Sequence, residues 1–173
     1  MDKIVLTGGT GNLGRKIVNK IVNSNLFDKI IAPTRQELDI TKPKTIESLL
    51  DTHAIDTIIH CAAFARVGKC EMNPHEALRH NTLGTLNLVN AILTYEQQQK
   101  KTVRFLHIST DAVYAGSEGN YSEKSPAIPS TVYGWTKLGA ECAVNLLKNH
   151  CIIRTSFFNP ENMMFAVTGD ITK

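Results

Sequence analysis

Thr7-Gly8-Gly9-Thr10-Gly11-Asn12-Leu13-Gly14 decides the reading of this chain. The stretch follows a short apolar run, Lys3–Thr7, and opens into residues 13–23, whose apolar positions recur at helical spacing. Two glycine patterns overlap in it: Gly8, Gly11 and Gly14 fit GxxGxxG, while Gly9, Gly11 and Gly14 fit GxGxxG. A strand running through such a loop into a helix is the context in which glycines serve a dinucleotide. They permit a tight turn, close approach of backbone to pyrophosphate, and close packing of helix on strand. The N–H groups that begin the helix then face the phosphates. Gly8, Thr10, Gly11, Asn12, Leu13 and Gly14 are therefore the expected phosphate-binding residues.

Outward from the loop, short apolar runs alternate with helical patterns. Strands are expected at Lys3–Thr7 and at residues 29–33, 56–60, 103–109 and 151–155, each apolar on both faces as buried parallel strands are. Helices are expected over residues 13–23, Pro43–Thr52, 75–98 and 133–148. This order predicts an α/β fold, a Rossmann-type doubly wound parallel sheet. Residues 1–158 form the cofactor-binding domain on this reading, and 159–173 a tail with no assignable periodicity.

The 173 residues make one domain, or slightly more, with 42% hydrophobic and 20% charged residues, as in an ordinary globular protein. A net charge of +3, with Lys and Arg scattered, offers no stripe for nucleic acid. No stretch is long enough to span a bilayer, and no leader is visible at Met1-Asp2-Lys3. The four cysteines lack metal-like spacing, so no metal site is expected, and a reducing cytoplasm is the simplest setting.

The end of the second strand distinguishes the two nicotinamide cofactors. An acidic residue there holds a ribose 2′-OH, whereas an arginine receives the 2′-phosphate. Here the run is Ala32-Pro33-Thr34-Arg35. Arg35 predicts NADP, with NADPH preferred over NADH, against the plainer reading of a solvated surface arginine. Asp39-Ile40 is expected to border the adenine.

A second constellation lies downstream. Tyr133-Gly134-Trp135-Thr136-Lys137 has YxxxK spacing, which stacks Tyr133 and Lys137 one helical turn apart. Trp135, Leu138, Gly139, Cys142 and Leu146 form an apolar stripe read as the core face of this helix, roughly opposite that pair. The strand before it ends at Ser109-Thr110-Asp111, and strand ends are where open α/β sheets bind ligands. Reduction of a carbonyl needs a proton donor at oxygen as hydride arrives at carbon. A tyrosine of ordinary pKa, about 10, serves poorly near neutrality, and the ammonium of Lys137 is expected to lower it. Thr110 can orient the carbonyl. His60 and His107 read as satisfied core residues, and Asp111 as either a turn cap or a polar group near substrate.

Together these stretches resemble an extended short-chain dehydrogenase/reductase, most closely the dTDP-4-dehydrorhamnose reductase (RmlD-like) group. The matching residues are Thr7–Gly14, Glu37-Leu38-Asp39-Ile40-Thr41, His60-Cys61-Ala62-Ala63 and Asn81-Thr82-Leu83-Gly84-Thr85. Ile108-Ser109-Thr110-Asp111-Ala112-Val113-Tyr114, Tyr133 through Glu141 and Ile153-Arg154-Thr155-Ser156 complete the set, in family order.

The resemblance implies that Thr110, Tyr133 and Lys137 are the catalytic triad. It links Asn81 to the proton relay and to helix geometry, where an ordinary turn asparagine is the alternative. It lays Cys61, Ala62 and Ala63 along the cofactor, with Tyr133 and Lys137 also touching it. The implied activity is NADPH-dependent reduction of a 4-keto-6-deoxy nucleotide sugar, as in dTDP-rhamnose biosynthesis. A homodimer through the helices around Asn81 and Tyr133 is implied too. Such proteins run to roughly twice the length of a typical domain, their C-terminal part forming the lobe that grips the sugar nucleotide. Most of that lobe is not represented here. The alternative is therefore an NADP-binding regulatory protein without turnover, as in the beta subunit of methionine adenosyltransferase, which resembles the same group.

Overall fold

The computed structural model describes residues 3–24 and 29–156. The expected tail, residues 159–173, lies outside them. Five parallel strands form one sheet in the order β2-β1-β3-β4-β5. They are β1 (Lys3–Thr7), β2 (Lys29–Ile31), β3 (Thr57–His60), β4 (Arg104–Thr110) and β5 (His150–Thr155). The chain leaves β1 to one side for β2 and returns on the other side for β3. The register pairs Val5 with Ile58, Ile59 with Leu106 and Ile108 with Ile153. A switch point therefore opens between the C-terminal ends of β1 and β3, the position where doubly wound sheets hold ligands.

The helices are α1 (Asn12–Ser24), α2 (Pro43–Thr52), α3 (Val67–Met72), α4 (Pro74–Ala77), α5 (Gly84–Gln99) and α6 (Val132–Val144). Pro43 begins α2 without breaking it, because the first helical N–H has no intrahelical partner to lose. Ile46 and Leu50, one turn apart, bury its inner face. They meet Leu88 and Ile92 of α5 and Val5, Ile58 and Phe105 of the sheet in the main core. Each such side chain contributes roughly 1.5–3 kcal/mol by leaving water.

Several boundaries differ from expectation for identifiable reasons. β2 stops at Ile31, two residues before Pro33, whose ring nitrogen has no hydrogen to give a ladder. The helix expected over 75–98 is interrupted by a π-helical turn, Leu78–Leu83, carrying Asn81. α6 ends at Val144 because the chain must turn to start β5. Leu146 and Leu147 close that turn with three-residue bonds to Ala143 and Val144, and Asn149 O accepts from Phe105 N.

The outward face of α6 corrects the expected core stripe. Trp135 is 56% and Leu146 64% exposed, Cys142 is exposed, and Leu138 and Gly139 are half-buried. The buried face instead carries Tyr133, Thr136, Lys137, Ala140, Glu141 and Val144.

Candidate active site

The glycine loop is pressed against the end of β3. Gly8 has φ +74°, and a Cβ placed on it would lie 2.6 Å from Ala62 N. Gly11 N donates to Gly8 O at 2.9 Å. Gly14 sits over that same carbonyl, where a Cβ would approach to 2.2 Å. The pattern that describes the turn is thus Gly8, Gly11 and Gly14. Cys61 N donates to Thr7 O at 3.1 Å, which continues the β1–β3 pairing into the site.

A cleft of about 240 Å³ lies over the switch point. Of the residues expected to bind cofactor, Gly8, Thr10, Gly11, Arg35, Asp39, Ile40, Cys61, Ala62 and Ala63 line it together. Asn12, Leu13 and Gly14 form the first turn of α1 at its edge. Tyr133 and Lys137 are not in its lining. Phe64 and His80 are, and sequence reasoning missed both. Their one sequence signal is adjacency: Phe64 continues the Cys61–Ala63 stretch, and His80 precedes Asn81.

The chemistry of the lining fits a phosphorylated dinucleotide. The loop presents backbone where side chains would obstruct, and small residues wall the opposite side. Burial pushes the Cys61 thiol up to about 11, so it is a neutral, inert wall. Arg35 is exposed, with Nη2 3.1 Å from His80 Nε2. Burial and the Arg35 charge hold His80 below its ordinary value, although Glu76 Oε2 lies 3.2 Å from the same ring nitrogen. Burial works to raise the Asp39 carboxyl, but hydrogen bonds from the Thr41 hydroxyl and N–H, with Arg35 and Lys42 nearby, hold it low overall.

Under the cleft, two hydroxyls fix His60. Thr85 Oγ1 donates to Asn81 O at 2.6 Å, so it accepts from His60 Nε2 at 3.0 Å. His60 Nδ1 then accepts from Thr7 Oγ1 at 2.6 Å. His60 is thus a satisfied core residue, neutral, its pKa pressed to about 3 by burial and then by Lys137. Asn81 spends its side chain on the backbone and on α6. Its Oδ1 accepts from Phe64 N at 2.7 Å, and its Nδ2 donates to Phe64 O at 3.1 Å and Thr136 Oγ1 at 3.0 Å. It clamps the chain after β3 to the helix that carries Tyr133.

Thr110, Tyr133 and Lys137 converge beyond the end of β4, all buried. Thr131 caps α6 by accepting from Gly134 N at 3.0 Å, which sets where Tyr133 enters the first turn. The Thr110 hydroxyl accepts from Ala112 N at 3.1 Å and donates to Asp111 Oδ1 at 3.1 Å. Asp111 begins a single 3-10 turn, Asp111–Val113.

The expected lowering of Tyr133 runs the other way. Burial raises the phenol above its ordinary value, against a lowering influence of the neighbouring Thr110, and Lys137 is not among the charges that move it. Lys137 Nζ instead donates to Ile108 O at 2.7 Å and lies 3.2 Å from His107 Nε2. Burial brings its ammonium down to about 8, with Glu141 and then Cys61 opposing.

Glu141, one turn further along α6, is buried and held by Arg154 at 2.6 Å and by the Ser109 hydroxyl at 2.5 Å. Arg154 Nη1 also donates to Tyr114 Oη at 2.9 Å. This network ties α6 to β5 and to the segment after β4.

A glycine turn at the switch point, beside a buried Thr–Tyr–Lys group at the next strand end, defines a Rossmann-type protein of the short-chain dehydrogenase/reductase kind. The chain matches the RmlD substrate-binding domain family over residues 1–167 and belongs to it. It is 34% identical over 159 residues to the dTDP-4-keto-6-deoxy-D-glucose reductase of Streptomyces niveus, covering 90% of this chain and 52% of that one. It is 30% identical to the dTDP-4-dehydrorhamnose reductase of Aggregatibacter actinomycetemcomitans, covering 91% and 52%. Among solved structures, a dTDP-4-dehydrorhamnose reductase of Bacillus anthracis in complex with NADP superposes with TM-score 0.83 at 26% identity, over 95% of this chain and 59% of that one. The chain thus spans about half the length of the curated relatives it matches.

Proposed function

We propose that the chain is the cofactor-binding and catalytic half of an NADPH-dependent reductase acting on a 4-keto-6-deoxy nucleotide sugar, with a dTDP-linked sugar favoured. The observation that carries this is the cleft at the switch point, lined by Gly8, Gly11 and Arg35, together with the buried Thr110 at the end of β4 and Tyr133 and Lys137 on the helix packed against that strand. When bound, NADPH supplies the hydride. The glycine loop and the first turn of α1 hold its phosphates, Arg35 its 2′-phosphate, and Cys61, Ala62 and Ala63 its flank. Thr110 orients the sugar carbonyl, and the Tyr133 hydroxyl releases its proton to the carbonyl oxygen. Lys137 supplies its positive charge to the cofactor rather than to the Tyr133 phenol, which burial holds high. Asn81 ties the chain after β3 to α6 and so sets where Tyr133 stands relative to the strand ends.

The relatives' names support the sugar-nucleotide class, and the NADP-bound neighbour supports the cofactor. No helix among the described residues is long and apolar enough to cross a membrane. The free cysteines fit a reducing, cytoplasmic setting. The exposed Trp135 of α6 and Leu146 of the turn after it, with Leu86 and Leu93 of the adjacent α5, fit a homodimer formed on these helices.

The test mixes purified protein, NADPH and dTDP-4-dehydrorhamnose and follows the loss of NADPH absorbance. Turnover that disappears in Tyr133→Phe is the expected result. Tight NADPH binding without turnover supports instead the non-catalytic reading.

A further inference from the structure

We propose that His107 positions Lys137: its neutral ring accepts a hydrogen bond from the ammonium and holds it where the site needs it. The role of Lys137 rests on the reductase reading, whereas the pairing itself does not. His107 lies on β4 with no exposed surface, its Nε2 3.2 Å from Lys137 Nζ. An ammonium has only hydrogens to give. Nε2 must therefore be the acceptor, and the single ring proton resides on Nδ1. Among the described residues Nδ1 is buried without a hydrogen-bond partner.

That orphan is the informative feature. A buried, unpartnered polar group costs roughly 1–3 kcal/mol, and leucine or phenylalanine would fill the volume without it. What histidine alone adds here is the Nε2 lone pair aimed at Lys137. The groups facing the ring from neighbouring elements are Lys137 of α6, His60 of β3 and Phe105 of the same strand. None is a carboxylate, so nothing stabilises a cationic ring, and burial with the Lys137 charge depresses its proton affinity strongly.

Neutrality matters to the site. A carboxylate in this position would form an ion pair and cancel the charge that Lys137 offers the cofactor. The nearest carboxylate on α6, Glu141, is already bound to Arg154 and Ser109. His107 and Ile108 O thus take two of the three ammonium hydrogens without neutralising it, leaving one for the site.

Two measurements decide the proposal without requiring turnover. In a long-range proton–nitrogen NMR spectrum, His107 should show the neutral Nδ1–H form throughout the range from about pH 8 to about pH 5. An Nε2–H or cationic ring overturns the proposal. With lysine labelled at Cε, the Lys137 titration near 8 should move to lower pH in His107→Leu, which lacks the acceptor. It should stay near its original position in His107→Gln, whose amide oxygen restores one. Equal midpoints in both variants overturn the proposal. Where the wild type turns over, His107→Leu should lower kcat roughly tenfold and shift the pH profile, and His107→Gln should recover most of it. Absence of turnover in the wild type counts against the reductase reading alone, and the two NMR measurements still decide the role of His107.

Discussion

Gly8 and Ala62 are in backbone contact: a Cβ on Gly8 would stand 2.6 Å from Ala62 N and 2.8 Å from its Cα. The phosphate loop and the small-residue wall of β3 are therefore one structure, and neither can shift without the other. Gly8→Ala is expected to fail twice. Its positive φ costs roughly 1–2 kcal/mol for any other L-residue, and the methyl must push β3 away. The melting temperature should fall by about 5 °C or more, since each kcal/mol is worth roughly 2–4 °C at this size. NADPH affinity should be lost. An unchanged melt with intact binding contradicts this geometry.

Glu141 and Arg154 provide the second test. The carboxylate is buried and accepts from Arg154 Nε at 3.1 Å and Nη2 at 2.6 Å. Removing one partner of such a pair costs roughly 3–5 kcal/mol, because the other charge stays behind. Glu141→Ala should lower the urea midpoint accordingly. Glu141→Ala combined with Arg154→Met should recover part of the loss, which a double-mutant cycle measures.

The buried histidines set the acid limit of stability. Unfolded, His60 and His107 titrate near the ordinary 6.5, while folded His60 takes a proton only near about 3 and His107 is also strongly depressed. Below about pH 6.5 the unfolded chain binds protons that the native chain refuses, so stability falls as pH falls. Each unit costs about 1.4 kcal/mol per histidine. Between pH 7 and pH 5 the two together should remove roughly 4 kcal/mol, read from urea midpoints. His107→Gln should halve the slope, and a flat profile in the wild type contradicts the assignment.

The apolar outer face of α6 predicts association. Trp135→Glu with Leu146→Glu places charge on the exposed stripe without touching the buried face. Sedimentation should show dimers in the wild type and monomers in the double variant, with the thermal melt of the monomer little changed. A monomeric wild type contradicts the dimer.

Much of this was legible in the residues, and the failures share a cause. β1 and α2 match their expected ranges, because apolar periodicity and Pro43 mark them directly. The cleft residues Gly8, Thr10, Gly11, Arg35, Asp39 and Ile40 were legible from the glycine spacing and the end of the second strand, and Cys61, Ala62 and Ala63 only from the family resemblance. The α6 stripe was inverted because this helix buries polar side chains and exposes apolar ones. The inner face carries polar Tyr133, Lys137 and Glu141 to build a site, and the outer face carries Trp135, Cys142 and Leu146. Periodicity counts apolar residues and cannot tell a buried face from an exposed one. Phe64 and His80 escaped because their roles depend on neighbours distant in sequence, Asn81 and Arg35, while His107, expected to be a satisfied core residue, is buried but leaves Nδ1 without a partner among the described residues. The π-helical turn at Asn81 likewise has no local composition signal.

The central claim is that this chain holds NADPH over the switch point, with Arg35 on its 2′-phosphate. Calorimetric titration with NADPH and NADH, in the wild type and in Arg35→Ala, tests it most directly. A charge-assisted contact of this kind contributes roughly 1.5–3 kcal/mol, so NADPH should bind at least about tenfold more tightly than NADH. Arg35→Ala should bring NADPH down to the level of NADH and leave NADH unchanged. Equal affinities in the wild type, or no binding of either cofactor, would contradict the account.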